Sequence, residues 1–414
     1  MPNGIKHIVI VGAGHAGGHA AMAARAAAPS ADIVLIGSEL YPPYERPPLS
    51  KALLMGTAEA EKTFLRPAAH YADNAIDLRL GATVVGIDRA AGRISIEGQG
   101  SEPYDELILT TGARPRPLPI PGGQGRAVFY LRDINDAVAI RAALAPSARV
   151  AVIGAGLIGL EVAASAQILG CKVVVLEMAT GPMQRVLAPE VAQFFTKLHA
   201  DHGIELLFDT NVSAICDSGR SLSTETSSGK IEVDLVVIGI GAIPNQELAA
   251  AAGLTVDDGV VVDEFGRTSD AAISAAGDLT RHYNPILKRY IRLESWQNAQ
   301  NQALTVGHNV GGDLKPHAEV PWFWSDQFDI NLQAVGFPST WNELVWRGDR
   351  DAAQFTVFYL NGDRIVGANA VNSPRDIRSA RILIQHGFPV SASVLANPAV
   401  KLADLAKQAA NVTV

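Results

Sequence analysis

The sequence predicts an α/β protein in which one strand–turn–helix nucleotide-binding unit occurs twice, with a smaller α+β domain at the C-terminal end. Three observations predict it. The short β-branched strand His7-Ile-Val-Ile-Val11 runs into the glycine turn Gly12-Ala-Gly14-His15-Ala16-Gly17. The same order returns 142 residues later, where Arg149-Val-Ala-Val-Ile153 runs into Gly154-Ala-Gly156-Leu157-Ile158-Gly159. Near the end, residues 355–360 and 364–371 flank Asn361-Gly362-Asp363, which reads as a β-hairpin, with a helix over 376–385 packed nearby.

In each copy the glycines have separate jobs. The first permits the tight turn, the second lets the backbone approach a pyrophosphate, and the third lets helix pack on strand. The helix N-terminus then offers free N–H groups to the phosphates. After the first turn an alanine-rich helix extends to Ala28, and the strand Asp32-Ile-Val-Leu-Ile36 ends in Gly37-Ser38-Glu39. Glu39 lies 22 residues past Gly17, near the roughly 20 expected of an acid that binds a ribose. His15, inside the turn, reads as an exposed side chain rather than a ligand. After the second turn a helix runs from Leu160 to about Leu169 and stops at Gly170, and the strand Lys172-Val-Val-Val-Leu176 delivers Glu177, 18 residues past Gly159. An acid there accepts hydrogen bonds from a ribose 2′-hydroxyl and repels a 2′-phosphate, and no arginine follows until Arg185, so NAD is expected over NADP. Two Rossmann-like dinucleotide-binding domains in one chain imply a two-electron relay between a resident flavin, FAD, and an exchangeable NADH, because hydride chemistry belongs to cofactors rather than side chains.

The chain has 414 residues, with 34 Lys+Arg against 42 Asp+Glu for a net charge of −8. Charged residues make up 18% and apolar residues 48%. Against the roughly 25% charged of an average domain, that balance suits a compact enzyme and not a disordered or coiled-coil chain. Mild acidity gives no reason to expect nucleic acid as a partner. The two cysteines, Cys171 and Cys216, are too few for a disulfide framework or a cysteine-ligated cluster and too far apart for a CxxC motif. Cys171 follows a helix-ending glycine and reads as buried. The ten histidines form no metal-binding spacing, so no metal is expected. No leader-like segment opens the sequence, and the apolar runs fall short of the ~20 residues that span a bilayer. A cytoplasmic protein without a membrane partner is expected.

Three further stretches carry a family resemblance: Leu107-Ile-Leu-Thr-Thr111-Gly112-Ala113, Asp234-Leu-Val-Val-Ile-Gly239-Ile-Gly241, and Thr268-Ser-Asp270 followed by Ala276-Gly277-Asp278. With the two glycine turns they resemble the two-dinucleotide flavoprotein reductases of the glutathione reductase-like fold. Two more, Tyr44-Glu-Arg46-Pro-Pro-Leu-Ser50-Lys51 and Pro321-Trp322-Phe-Trp324-Ser-Asp326-Gln327, resemble the NADH-dependent ferredoxin reductases of bacterial oxygenase systems. This resemblance runs over nearly the whole chain. It implies that Lys51 lies beside the reactive flavin nitrogen with Glu161 opposite, as the catalytic pair. It implies FAD contacts at Ala16, Ser38, Val84, Arg132, Asp278 and Trp296, beside Gly12, Gly14, Gly17, Glu39, Arg46 and Lys51. On the NAD side it places Gly154, Gly156, Leu157, Ile158, Gly159, Glu177 and Gly241. Disulfide reductases of this fold carry CxxxxC shortly after the first ribose acid, yet residues 39–70 here hold no cysteine. Electrons would therefore leave directly from flavin, as single electrons, to an acidic [2Fe–2S] ferredoxin feeding an oxygenase. An NADH-dependent flavin oxidase, a quinone or dye reductase and a redox-sensing flavoprotein are the alternatives.

The expected order is an FAD-binding domain over 1–115, an NAD-binding domain over 116–241, a return to the FAD domain over 242–321 and the C-terminal domain over 322–414. The proline-rich stretch 114–123 suits a crossing between domains. Trp322 and Trp324 read either as a flavin-pocket wall or as one face of a buried strand. Arg281, Lys288, Arg289 and Arg292, with no acid in the sequence between them, read as a basic docking patch that Arg66 could extend, as a solvated surface loop, or as arginines that hold FAD phosphates.

Overall fold

Five parallel strands make the first sheet, in the order Ile273–Ala275, Glu106–Leu109, His7–Val11, Asp32–Gly37, Ile76–Leu80. The strand His7–Val11 sits at its centre, and Ile8, Val9 and Ile10 are fully buried. A parallel strand covered on both faces needs a continuous apolar run rather than an alternating one, which is why these residues carry no polar position. The computed structural model describes residues 6–411, and contacts divide the chain into two compact units. This first unit comprises residues up to Arg46, Ala60–Arg114 and Ile243–Pro321. Its helix His15–Ala27 lies against the helix Trp296–Asn309 at backbone contact distance. A Cβ added to Gly307 would stand 2.5 Å from the Ala20 carbonyl and 2.7 Å from the Ala23 Cβ. Small residues on both helices are what permit that approach.

The second unit comprises Pro47–Glu59, Pro115–Ala242 and the chain from Trp322 onward. Its parallel sheet runs Glu205–Leu207, Lys172–Leu176, Arg149–Ile153, Leu235–Ile238, Val128–Tyr130. An antiparallel sheet follows in the order Trp322–Gln327, Ile330–Gly336, Arg364–Val371, Gln354–Asn361, Glu343–Asp349. One apolar core joins them: Val152, Leu160, Phe195, Leu332, Phe355 and Val357 are buried together, and Leu54 is buried in the same cluster. Burial of Leu54 explains why Pro47–Glu59 belongs to this unit although both flanking segments belong to the other. The hairpin turns at Gly362, whose φ of +65° falls in the left-handed region that glycine enters without strain. The helix beyond it, Pro374–Gln385, begins two residues before the expected start, with proline in the first turn where its missing N–H costs nothing. The proline-rich stretch is pinned rather than loose, since Tyr130 Oη accepts from the Leu118 N–H at 3.0 Å and donates to the Gly123 carbonyl at 2.8 Å.

Candidate functional site

Both glycine turns are built the same way. Gly12 has φ +110°, and a Cβ there would lie 2.3 Å from the Thr110 carbonyl oxygen; one on Gly17 would lie 1.9 Å from the Gly12 carbonyl oxygen. In the second unit Gly154 has φ +104°, and a Cβ on Gly159 would lie 2.1 Å from the Gly154 carbonyl oxygen. The middle glycines differ. A Cβ on Gly14 would meet nothing nearer than an Arg46 nitrogen at 3.7 Å, and one on Gly156 nothing nearer than the Gly239 carbonyl at 3.9 Å. The outer glycines are required by the protein's own packing, while the middle ones leave an open backbone cradle. Such a cradle at a helix N-terminus fits the pyrophosphate of a dinucleotide. The second helix starts at Leu157, inside the turn and three residues before the expected start, so its free N–H groups belong to the cradle itself.

In the first unit Glu39 accepts from Tyr44 Oη at 2.5 Å and from Arg46 Nη2 at 2.8 Å, so the motif that follows the strand folds back onto the ribose acid. Burial opposes the Arg46 charge, but Tyr44, Glu39 and Asp278 outweigh it and hold its pKa raised. Asp278 thereby joins the Glu39–Arg46 group. A Cβ on Gly277 would stand 3.2 Å from the Ala16 Cβ, which brings the late fingerprint against the first helix. Trp296 opens the helix Trp296–Asn309, and its ring lies 5.2 Å from that of His15. Ser38 is exposed beside Glu39, and Val84 is half-buried at the start of the strand Val84–Asp88. The expectation of an exposed His15 is corrected: it is 8% exposed, 4.7 Å from the His19 ring. Burial pushes its pKa down to about 3, with His19 and Arg46 adding to the shift. A local reading could not see Trp296, which arrives from far along the chain.

In the second unit Glu177 spends its oxygens on the backbone, accepting from Ala155 N–H at 2.7 Å and Ala179 N–H at 2.8 Å. A carboxylate has room for further donors, and this one is held at the mouth of the turn. Gly241, with φ +107°, closes the strand beside it, and the Arg185 guanidinium lies 3.4 Å from where a Gly241 Cβ would be. Arg132, half-buried, precedes the capped helix Ile134–Ala143; it and Lys51 belong to this unit, and Glu39, Arg46 and Asp278 belong to the first.

Lys51 Nζ stands 2.9 Å from Glu161 Oε2. Glu161 lies on the helix Leu157–Ile168, just past the third glycine, and is 3% exposed. An ion so far from water needs several donors. It has them: Ser50 Oγ donates to Oε2 at 2.5 Å and Ser325 Oγ to Oε1 at 2.7 Å. Ser165 fixes the backbone below, donating to the Ser50 carbonyl at 2.7 Å. Ser50 and Ser325 are site residues that sequence reasoning missed, although both stand inside stretches quoted for the resemblance. The signal was alternation in Trp322–Gln327. Trp322 and Trp324 are half-exposed and stacked at 5.1 Å, whereas Ser325 and Gln327 are fully buried, so the tryptophan pair marks the open face and not a buried one.

The basic stretch is partly neutralised by ion pairs. Arg281 pairs with Asp257, and Arg292 pairs with Asp258 at 2.9 Å and with Glu294. Two of the three acids come from a turn some 25 to 35 residues earlier, so the stretch lacks acids only in sequence.

A sheet with a pyrophosphate cradle in each unit, and a buried Lys–Glu pair beside one cradle, defines a two-dinucleotide oxidoreductase. Comparison with known proteins narrows the class. Residues 6–303 match the pyridine nucleotide-disulphide oxidoreductase family and residues 322–406 the reductase C-terminal family. The ferredoxin–NAD(+) reductase component of the anthranilate 1,2-dioxygenase system from Burkholderia cepacia is 46% identical over 95% of this chain and 98% of that protein. Putidaredoxin reductase from Pseudomonas putida is 38% identical over 97% of each. Among solved structures, the ferredoxin reductase for the CYP199A2 system from Rhodopseudomonas palustris superposes with a TM-score of 0.94 at 36% identity, covering 97% of this chain and all of that one. The covalent putidaredoxin reductase–putidaredoxin complex superposes at 0.95 and 37% identity, covering 99% and 100%. The chain belongs to the pyridine nucleotide-disulphide oxidoreductase family, among the ferredoxin–NAD(+) reductase components of oxygenase systems. Among the described residues no helix is long and apolar enough to cross a membrane.

Proposed function

We propose that this chain takes hydride from NADH onto FAD and passes single electrons to an acidic [2Fe–2S] ferredoxin that feeds an oxygenase, working in the cytoplasm where NADH is regenerated. The observation that carries this reading is the Lys51–Glu161 pair at 2.9 Å, on the helix whose first turn is an open nucleotide cradle. A fixed, buried charge pair at that place suits a reaction in which the nicotinamide gains positive charge as it gives up hydride. Bound FAD would supply the change from two-electron to one-electron chemistry. The residues proposed to hold it are Gly12, Gly14, Ala16, Gly17, Ser38, Glu39, Arg46, Val84, Asp278 and Trp296, with Lys51 and Arg132. The free cysteines are Cys171, which is buried, and Cys216, and neither falls in residues 39–70, where the disulfide reductases of this fold carry theirs. In domain terms we assign FAD to 1–115 with 242–321, NAD to 116–241 and a supporting role to 322–414.

Absorbance of the purified protein under anaerobic conditions tests the reading. The expected result is a bound flavin spectrum bleached by one equivalent of NADH. A protein that binds no FAD, or whose flavin NADH leaves oxidised, would overturn it.

A further inference from the structure

Behind the Lys51–Glu161 pair runs a chain of buried hydrogen bonds that no cofactor contact requires. His199 Nε2 lies 2.8 Å from Gln327 Oε1, Gln327 Nε2 lies 3.0 Å from Ser325 Oγ, and Ser325 Oγ lies 2.7 Å from Glu161 Oε1. His199 and Gln327 are fully buried, and so is Ser325. The donors all point one way. Glu161 is a carboxylate paired with Lys51, so it can only accept, and Ser325 must give it its single proton. The Ser325 oxygen then accepts from the Gln327 amide, whose second N–H faces Met183 Sδ at 3.8 Å. That leaves the Gln327 carbonyl for His199, which must carry its proton on Nε2; its Nδ1 is buried without a partner. Turning the Gln327 amide over would aim its oxygen at a sulfur and draw the Ser325 proton away from the carboxylate.

Resting on the proposed function above, we propose that Ser325, its orientation set by Gln327 and His199, is a positioning residue for hydride transfer. It holds one oxygen of Glu161 so that the other stays on Lys51. The strand Trp322–Gln327 thus gives the C-terminal sheet a direct part in the site, through a residue that need not touch the nicotinamide. Lys51 is the charged side chain bonded to Glu161; His199 is the next titratable group along the chain and His202 the one beyond it.

Two measurements on the FAD-loaded protein test this. The first needs no turnover: the ring nitrogens of His199, labelled with nitrogen-15 and assigned through His199→Phe, should show the Nε2–H tautomer. The Nδ1–H tautomer, or a protonated ring at neutral pH, would overturn the directed chain. The second is anaerobic stopped-flow reduction by NADH. Ser325→Ala should lower the limiting rate of flavin reduction roughly tenfold, the scale of one lost hydrogen bond to a charged group, and leave the apparent Kd for NADH within about twofold. Ser325→Thr, which keeps the hydroxyl, should restore most of the rate. An unchanged limiting rate in Ser325→Ala would overturn the positioning role, as would a loss that Ser325→Thr shares in full. If Ser325→Ala does not fold, Gln327→Leu is read by the same rate and the same criteria. Failure of the unmodified protein to be reduced by NADH would instead defeat the functional reading and leave the tautomer result standing.

Discussion

Glu177 Oε2 accepts a hydrogen bond from the backbone N–H of Ala155, between the first two glycines of the second turn, at 2.7 Å. The acid that closes one strand therefore braces the cradle that follows the neighbouring one, and its charge is fixed in direction rather than left to swing. The parallel register Ile153↔Leu176 sets the strand ends level and makes this reach possible.

The first prediction concerns cofactor choice. With the carboxylate of Glu177 proposed to face the ribose, NADPH would bring a phosphate against a like charge, which costs several kcal/mol. kcat/KM should favour NADH by about 100-fold or more. Glu177→Gln keeps an acceptor for Ala155 but removes the charge, and should narrow the ratio by roughly tenfold. Equal kcat/KM for the two cofactors in the unmodified protein would contradict the assignment.

The second concerns Lys51. Removing it leaves the Glu161 carboxylate, 3% exposed, with only the two serine hydroxyls. Breaking a buried pair on one side costs about 3–5 kcal/mol, and the partial exposure of Lys51 places this case at the lower end. Lys51→Met should retain FAD, unfold at lower denaturant concentration, and slow flavin reduction by NADH at least about tenfold in stopped flow. The double variant Lys51→Met/Glu161→Gln should recover part of the stability and none of the rate.

The third concerns acid. Burial lowers the pKa of His15 and His317 to about 3 and of His199 and His282 to about 4, from 6.5. Below pH 6.5 the unfolded chain takes up protons that the folded chain refuses, so stability falls as pH falls and levels off only below pH 4 to 3. Each such histidine contributes about 1.4 kcal/mol per pH unit within that window. Denaturant midpoints measured between pH 7.5 and 5 should drop steeply, and less steeply in His282→Phe. A flat profile would show that these rings are not held neutral.

Much of this was legible because its signals are local. Strand, glycine turn and helix lie within about twenty residues, and the third glycine of each turn answers to a backbone clash with the first. The Lys51–Glu161 pair was reached through family resemblance, since nothing in the spacing of residues so far apart brings them together. Its serine donors escaped notice because serine is unremarkable in sequence; only the buried face of Trp322–Gln327 gives Ser325 its meaning. The basic stretch shows the reverse case. No acid stands between Arg281 and Arg292 in sequence, but the turn holding Asp257 and Asp258 folds against them. His15 was misread because its neighbour Trp296 belongs to another helix.

The central claim is that electrons leave the flavin for a small iron–sulfur protein. NADH oxidation by the FAD-loaded protein, followed in air without ferredoxin and anaerobically with an excess of an acidic [2Fe–2S] ferredoxin, tests it best. Oxidation in air without ferredoxin should be slow, and anaerobic oxidation with it at least about tenfold faster, two ferredoxins being reduced for each NADH. Fast oxidation in air without ferredoxin, with no ferredoxin reduced anaerobically, would contradict it and identify an oxidase.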